Sequence, residues 1–203
     1  MTVNVMAIAG KSGSGKTTLA QKLQRALKNS EIVSLDSYYH DLSHLSYNDR
    51  GKMNFDVPTS LDAKLFEADL AKIKNNESIE VPSYDFTKHC RAGLSKTINN
   101  KKNIIVEGIF SLYFEPILQF YNLSIYLDIP NQVARNRRIN RDINERERGL
   151  DSIIEQYDRQ VTPMSKRYII PTRSRADLIL NSLLPIDVQI EKILSRLPTQ
   201  FVN

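Results

Sequence analysis

An apolar run of strand length, Val3 to Ala9, leads directly into Gly10-Lys-Ser-Gly-Ser-Gly15-Lys16-Thr17. Thr17 to Leu27 then carries Leu19, Leu23, Ala26 and Leu27 at helical spacing. Strand, glycine-rich turn and helix form the context in which the pattern G-x-x-x-x-G-K-S/T is credible. Glycines let the backbone curl so that successive N–H groups face a polyphosphate, and the helix N-terminus adds positive potential. The cradle candidates are Gly10, Ser12, Gly13, Ser14, Gly15, Lys16, Thr17 and Thr18. Lys16 can reach β- and γ-phosphate oxygens, and the Thr17 hydroxyl can ligate Mg²⁺. This one feature commits the chain to a βα unit built around a phosphate.

The rest of the sequence continues the alternation. Glu31–Leu35, Asn103–Glu107, Leu123–Asp128 and Asp177–Asn181 read as further buried strands. Helical spacing runs over Leu61–Ile73 (Leu61, Leu65, Ala68 and Leu70 inward), Gln132–Arg146, Ser152–Tyr168 ending before Pro171, and Ile186–Leu197. Strands alternating with helices predict a mostly parallel sheet covered on both faces. The polar-aromatic segment 79–98 is too short for a crossover and reads as a projecting β-hairpin, Ile79–Asp85 and Leu94–Ile98. Asp36 to Thr59 is a long connection without clear periodicity, a length that in compact domains points to function or disorder. No internal repeat or low-complexity tract interrupts the chain. Its 203 residues suit one domain, with the hairpin at about 79–98 and a lid at about 135–150 as its embellishments.

Composition narrows the class. With 41% apolar and 25% charged residues, wholesale disorder is excluded. No apolar run approaches the ~18 residues of a membrane span. The short apolar run near Met1 has no basic segment ahead of it and does not read as a signal peptide. The single Cys90 cannot form an internal disulfide and has no companions for a thiolate metal site, so a reducing, cytoplasmic setting is expected. The net charge of +5 fits a polyanionic small molecule or a nucleic acid. Six arginines cluster between Arg135 and Arg148, which a nucleic-acid binder could use, but such a patch alone would not account for the phosphate cradle.

A metal at Thr17 needs a carboxylate from a neighbouring strand tip. Glu107, after Ile104-Ile-Val106, and Asp128, after Ile125-Tyr-Leu127, both qualify. No Asn-Lys-x-Asp guanine reader is present, which weighs against a GTPase switch. A kinase needs a base beside the transferred phosphoryl group. Asp36 directly follows the second strand, on the same sheet edge as the phosphate cradle, and could take an acceptor hydroxyl's proton.

These motifs converge. Asp36-Ser-Tyr-Tyr39, Asn54-Phe-Asp-Val-Pro58, Val81-Pro-Ser-Tyr-Asp-Phe-Thr-Lys-His89, Arg137-Arg-Ile-Asn-Arg-Asp-Ile-Asn-Glu-Arg146 and Pro171-Thr-Arg-Ser-Arg-Ala-Asp177 resemble, in order, the signatures of uridine–cytidine kinases. The similarity spans about residues 3–185. It implies an α/β, P-loop kinase-like three-layer fold: a mostly parallel central sheet flanked by helices, with a projecting β-hairpin and an Arg-rich helical lid. It implies phosphorylation of the 5′-hydroxyl of uridine and cytidine in pyrimidine salvage, with ATP or GTP as donor and Mg²⁺ as cofactor. It also implies a homo-oligomer, tetramers being common, with feedback by CTP and no nucleic-acid or membrane partner.

Carried over by residue, the resemblance makes Asp36 the base. It gives Asp56 and Arg138 the ribose hydroxyls, and Tyr84 and His89 the exocyclic group of the pyrimidine. Phe55 and Phe86 become the walls of the base, with Tyr39 and Ile109 beside them. Gln156 falls by the sugar–phosphate junction. Arg141, Arg146 and Arg148 clamp the triphosphate, Arg148 also touching substrate, and Glu107 joins Thr17 at Mg²⁺. On a continuous helix Arg138, Arg141 and Arg148 share a sector of about 80°. Three departures stand out: Lys11 inside the cradle, Val57 where the family has histidine, and Glu147 between two lid arginines. Related P-loop kinases for other alcohols (a pentulose phosphate, pantothenate, nicotinamide riboside) remain the alternative.

Overall fold

β1 (Asn4–Ala9) is buried along its whole length, and its alternate side chains enter two different cores. Val5, Ala7 and Ala9 pack with Phe66, Leu70 and Tyr126, while Met6 and Ile8 pack with Leu19, Leu23 and Ile193. A strand buried on both faces is what a parallel sheet between helical layers requires. The computed structural model describes residues 3–146 and 149–202, and for Glu145, Arg146, Gln200 and Val202 the backbone alone.

β1 is followed by α1 (Lys16–Ala26), β2 (Ser30–Ser34), α2 (Tyr47–Gly51) and α3 (Ala63–Lys74). β3 (Ile79–Asp85) and β4 (Cys90–Ile98) pair antiparallel as a separate two-stranded sheet. β5 (Asn103–Glu107), α4 (Glu115–Leu118), β6 (Leu123–Asp128), α5 (Asn131–Arg146), α6 (Leu150–Gln156), α7 (Thr162–Met164), β7 (Leu178–Asn181) and α8 (Ile186–Leu194) complete the frame. The main sheet has the order β2-β5-β1-β6-β7, and every pairing in it is parallel. The order switches on either side of β1, so the crevice for a ligand opens outside the carboxyl ends of the central strands.

Four expectations need adjustment. β4 begins at Cys90 rather than Leu94, so the hairpin is tighter and its tip shorter. On α3 the inward face is Phe66, Asp69, Leu70 and Ile73, with Ala68 exposed. Asp69 goes inward because the buried Tyr38 hydroxyl donates to it at 2.9 Å, a partner no hydrophobic count reveals. The connection after Asp36 holds a 3₁₀ turn over Leu35–Tyr38, helix α2 and a second 3₁₀ turn over Pro58–Ser60.

The fourth concerns the helix expected over Ser152–Tyr168. It is an alternation of α turns with π turns at Tyr157–Val161 and Ser165–Ile169, and it runs on as a 3₁₀ turn through Ile170–Arg175. Ile153, Tyr157, Val161, Ser165 and Ile169 are all buried, a strict four-residue stripe. At 3.6 residues per turn such a stripe drifts about 40° per step. π turns, with bonds spanning five residues, unwind it back toward the core. Pro163, which lacks the N–H a continuous α-helix would use, sits in the α turn between them.

Candidate active site

Two cavities adjoin at the carboxyl ends of β1, β2 and β5. The first, about 480 Å³, is lined by Ser12, Gly13, Ser14, Gly15, Lys16, Thr17 and Thr18, with Glu107 and Leu127. The second, about 410 Å³, is lined by Tyr39, Phe55, Asp56, Tyr84, Phe86, Thr87, His89, Arg138 and Gln156. Ser12, Asp36, Ile109 and Arg141 line both. Asp36 stands at this junction because the 3₁₀ turn over Leu35–Tyr38 begins as soon as β2 ends.

The loop after β1 is pressed against its neighbours at two glycines. A Cβ on Gly13, whose φ is 78°, would lie 2.3 Å from the Ala134 carbonyl of α5, and one on Gly10 would lie 2.6 Å from the Leu127 carbonyl. Neither position admits a side chain, so cradle and α5 are locked together. Gly10 shapes the turn without lining the cavity. The Ser14 hydroxyl is buried in the cradle with no hydrogen-bond partner among the described residues, an acceptor-ready donor of the kind a phosphate oxygen satisfies.

Lys16 donates to the Lys11 carbonyl at 2.9 Å. Burial pulls its ammonium down to about 8; Glu107 and Asp36 pull it up, and Arg141 and Arg138 push it further down. The Lys11 ammonium turns away from the cradle and donates to the Ile129 carbonyl and to Asn131 Oδ1. It braces the loop against the start of α5, so this departure leaves the phosphate path clear.

Of the two strand-tip carboxylates, Glu107 is the one beside Thr17. Thr17 Oγ1 donates to Glu107 Oε2 at 3.2 Å, and Ser34 Oγ donates to Oε1 at 2.7 Å. Asp128 faces outward to Arg173, 3.3 Å away. Among the described residues, no three His, Cys, Asp or Glu side chains are grouped to hold a metal by themselves. One carboxylate and one hydroxyl facing a phosphate cradle fit magnesium, which prefers few protein oxygens and completes its shell with water and phosphate.

Helix α5 serves both cavities. Arg138 reaches Asp56 at 3.4 Å and Asp142 at 3.5 Å, all three buried. Arg141 donates twice to Asp142 Oδ1, at 2.9 and 2.7 Å. Asp142 thus anchors both arginines and is a site residue that sequence reasoning missed. Arg137, one turn before Arg141, lines the first cavity and donates to Ser182 Oγ at 3.3 Å. The i, i+4 spacing from Arg141 was the available signal. Arg135 instead leans over the Tyr157 ring and pairs with Asp158. α5 ends at Arg146, whose side chain lies outside the described residues, as do Arg148 and Glu147 entirely.

The wall of the second cavity is aromatic. Tyr39 packs against Phe55 (ring centroids 5.3 Å apart), Tyr84 (5.2 Å) and Phe86 (6.4 Å), while His89 stacks on Phe55 at 5.2 Å with planes 16° apart. Burial pushes the Tyr84 phenol up to about 12, with Cys90 and Asp41 adding to the shift, and its hydroxyl has no hydrogen-bond partner among the described residues. Tyr39 carries its proton for the same reason, burial first and the Asp36 and Asp56 carboxylates after it. Val57 is half-buried and lines neither cavity. Tyr47, Gly51 and Thr87 also line the second cavity, and Ser182, Leu184, Ile186 and Gln189 the far end of the first. Apart from Thr87, which lies within the hairpin signature, these carried no sequence signal. Among the described residues, no helix is long and apolar enough to cross a membrane.

The model described as the phosphoribulokinase / uridine kinase family matches residues 5–189. The chain belongs to that family. A uridine kinase of Staphylococcus aureus (strain JH9) is 36% identical to it over 97% of this chain and 98% of that protein. Among solved structures, a Silicibacter sp. TM1040 protein assigned as a fructose transport system kinase superposes with a TM-score of 0.73 at 20% identity, covering 88% of this chain and 90% of that one. A possible uridine kinase of Bacillus stearothermophilus gives 0.53 at 19% identity, covering 89% and 90%. At those identities the two structures show a shared fold, so the acceptor has to be argued from the site itself. A kinase of this family uses a nucleotide as phosphoryl donor.

Proposed function

We propose that this family member transfers the γ-phosphoryl group of ATP to the 5′-hydroxyl of uridine and cytidine, giving UMP and CMP. One observation carries the reading: Asp36 lines both the phosphate cavity and the aromatic one. A carboxylate there can accept a primary alcohol's proton as the oxygen attacks. The S. aureus uridine kinase, alike over nearly both whole chains, supports the same acceptor.

The residues divide the work. Asp56 accepts from the ribose 2′- and 3′-hydroxyls and Arg138 donates to them, so a deoxyriboside leaves buried polar groups unpaired. Phe55 and Phe86 flank the planar base, with His89 and the Tyr84 hydroxyl at its exocyclic group. Lys16 and Arg141 place positive charge on the transferring group, where it accumulates in the transition state. Thr17 and Glu107 would hold magnesium, which when bound would supply positive charge to offset that of the phosphates. Ser182, Leu184, Ile186 and Gln189 would receive the donor's base. The protein is expected to act in the cytoplasm as a homo-oligomer.

A pentulose phosphate would need a cationic wall around its own phosphate. The aromatic wall of the second cavity suits a neutral planar base instead. The test is turnover with Mg-ATP across uridine, cytidine, deoxyuridine, pantothenate, nicotinamide riboside and a pentulose phosphate. Formation of UMP and CMP supports the reading. Turnover of another acceptor with neither nucleoside used overturns it.

A further inference from the structure

The second cavity has two walls from segments far apart in sequence. The connection after Asp36 contributes Tyr39, Tyr47, Gly51, Phe55 and Asp56, and the β3–β4 hairpin contributes Tyr84, Phe86, Thr87 and His89. Besides the ring contacts between Tyr39 or Phe55 and the hairpin, two arginines tie these walls together. Arg91 on β4 donates to the Tyr39 carbonyl at 3.0 Å and to Asp62 at 3.2 Å, tying the hairpin to the root of the connection. Arg50, on the short helix α2, does the same at the outer rim. Its Nε donates to the Leu45 carbonyl at 2.9 Å and Nη2 to the Ser43 carbonyl at 2.8 Å, folding the connection on itself. Its Nη1 donates to the Lys88 carbonyl at the hairpin tip, 3.2 Å away.

We infer that Arg50 is a positioning residue for the acceptor: its guanidinium latches residues 43–53 to the hairpin tip and so holds the outer wall of the acceptor cavity shut. Three features support this. A planar fork can serve three carbonyls at once, whereas an ammonium, with no fixed fork, cannot hold that geometry. α2 has five residues and none of them is buried, so little packing holds it in place without the latch. Lys88 directly precedes His89, whose backbone stands at φ 52°, so the bond fixes the tip where the chain is strained. The inference rests on the proposed acceptor site but leaves the donor cradle out, since the side-chain hydrogen bonds of Arg50 among the described residues go to Ser43, Leu45 and Lys88.

The test compares the wild-type protein with Arg50→Lys and Arg50→Ala. Loss of a charge-assisted hydrogen bond should raise the uridine KM about tenfold, with Arg50→Lys close behind Arg50→Ala. The ATP KM should stay within about twofold. Amide exchange should accelerate at both 43–53 and 86–89 in the variants, and uridine should slow it in the wild type. An unchanged uridine KM, or a KM for both substrates rising together, overturns the latch. The exchange arm needs no substrate, so if the wild type uses an acceptor other than uridine, unchanged exchange at 43–53 and 86–89 in the variants still overturns it. Melting temperatures of all three proteins separate a latch from general unfolding, which would accelerate exchange everywhere.

Discussion

At the donor end the phosphate cradle comes from one stretch of chain, Ser12 to Thr18, and much of it is backbone, while Glu107, Leu127, Arg137 and the segment from Ser182 to Gln189 line the rest of that cavity. The acceptor end has no such continuous core and is gathered from scattered segments, among them Asp36 and Tyr39, Phe55 and Asp56, the hairpin from Tyr84 to His89, Arg138 with Arg141, and Gln156. Phosphate is the same in every nucleotide, so a local curl of N–H groups between strand and helix suffices for it. An acceptor must be told from its neighbours, and that takes side chains converging from several elements. The two ends should therefore fail separately when residues are changed, save where Asp36, Ile109, Ser12 and Arg141 belong to both.

Asp36→Asn is the sharpest attempt to break that division. The amide keeps the shape and cannot take a proton, so kcat should fall about 10³-fold. ATP affinity, measured by calorimetry without acceptor, should hold within a few-fold. Normal turnover would remove Asp36 from the base role, and lost ATP binding would mean that the junction serves the donor end first.

Asp56→Ala acts at the acceptor end only. It leaves Arg138 buried with Asp142 alone and removes the partner proposed for the ribose hydroxyls. We expect kcat/KM for uridine to drop about 100-fold and for deoxyuridine much less, so the preference for ribosides collapses. An equal drop for both would show that Asp56 supports Arg138 and does not read the sugar.

The donor end has its own titration. Lys16 is charged below about 8 in the free protein, since burial lowers it. Phosphate oxygens favour the charged form, so binding a triphosphate raises this pKa and takes up a proton as pH passes 8. The ATP dissociation constant should be flat below pH 7, then rise toward tenfold per pH unit above 8. Lys16→Arg keeps its charge throughout, so its curve should lack that bend. Uridine affinity should show no inflection near 8. A bend in the uridine curve instead would place the sensitive cation at the acceptor end.

How much of this was legible follows the same division. The cradle, the parallel sheet and the Glu107 strand could be seen because each is a local pattern: a motif, an apolar run, an acid at its end. Choosing Glu107 over Asp128 took the family resemblance, because strand pattern alone leaves both: β5 and β6 each flank β1, and only in the fold does the Asp128 tip turn toward Arg173. The four-residue stripe from Ile153 to Ile169 was present in the sequence but passed for an ordinary helix, since period counting assumes one helix type. Nothing in the sequence singles out Asp142 among its arginine neighbours. It is fully buried because Arg138 and Arg141 both need an anchor. Lys11 looked like an intruder in the cradle until its ammonium was seen to point at Ile129 and Asn131.

The smallest expected effect concerns His89, where backbone and ring must be separated. Its φ of 52° is left-handed, so alanine would add strain to the loss of the ring. Asparagine tolerates that backbone and keeps a donor and an acceptor, losing chiefly the stacking on Phe55. Aromatic pairing of this kind is worth about 0.5–1.5 kcal/mol, so His89→Asn should raise the uridine and cytidine KM between about twofold and tenfold. ATP KM and kcat should stay near wild type. If His89→Asn matches wild type while His89→Ala does not, the residue sits there for its backbone, and the wall of the base is Phe55 and Phe86 alone.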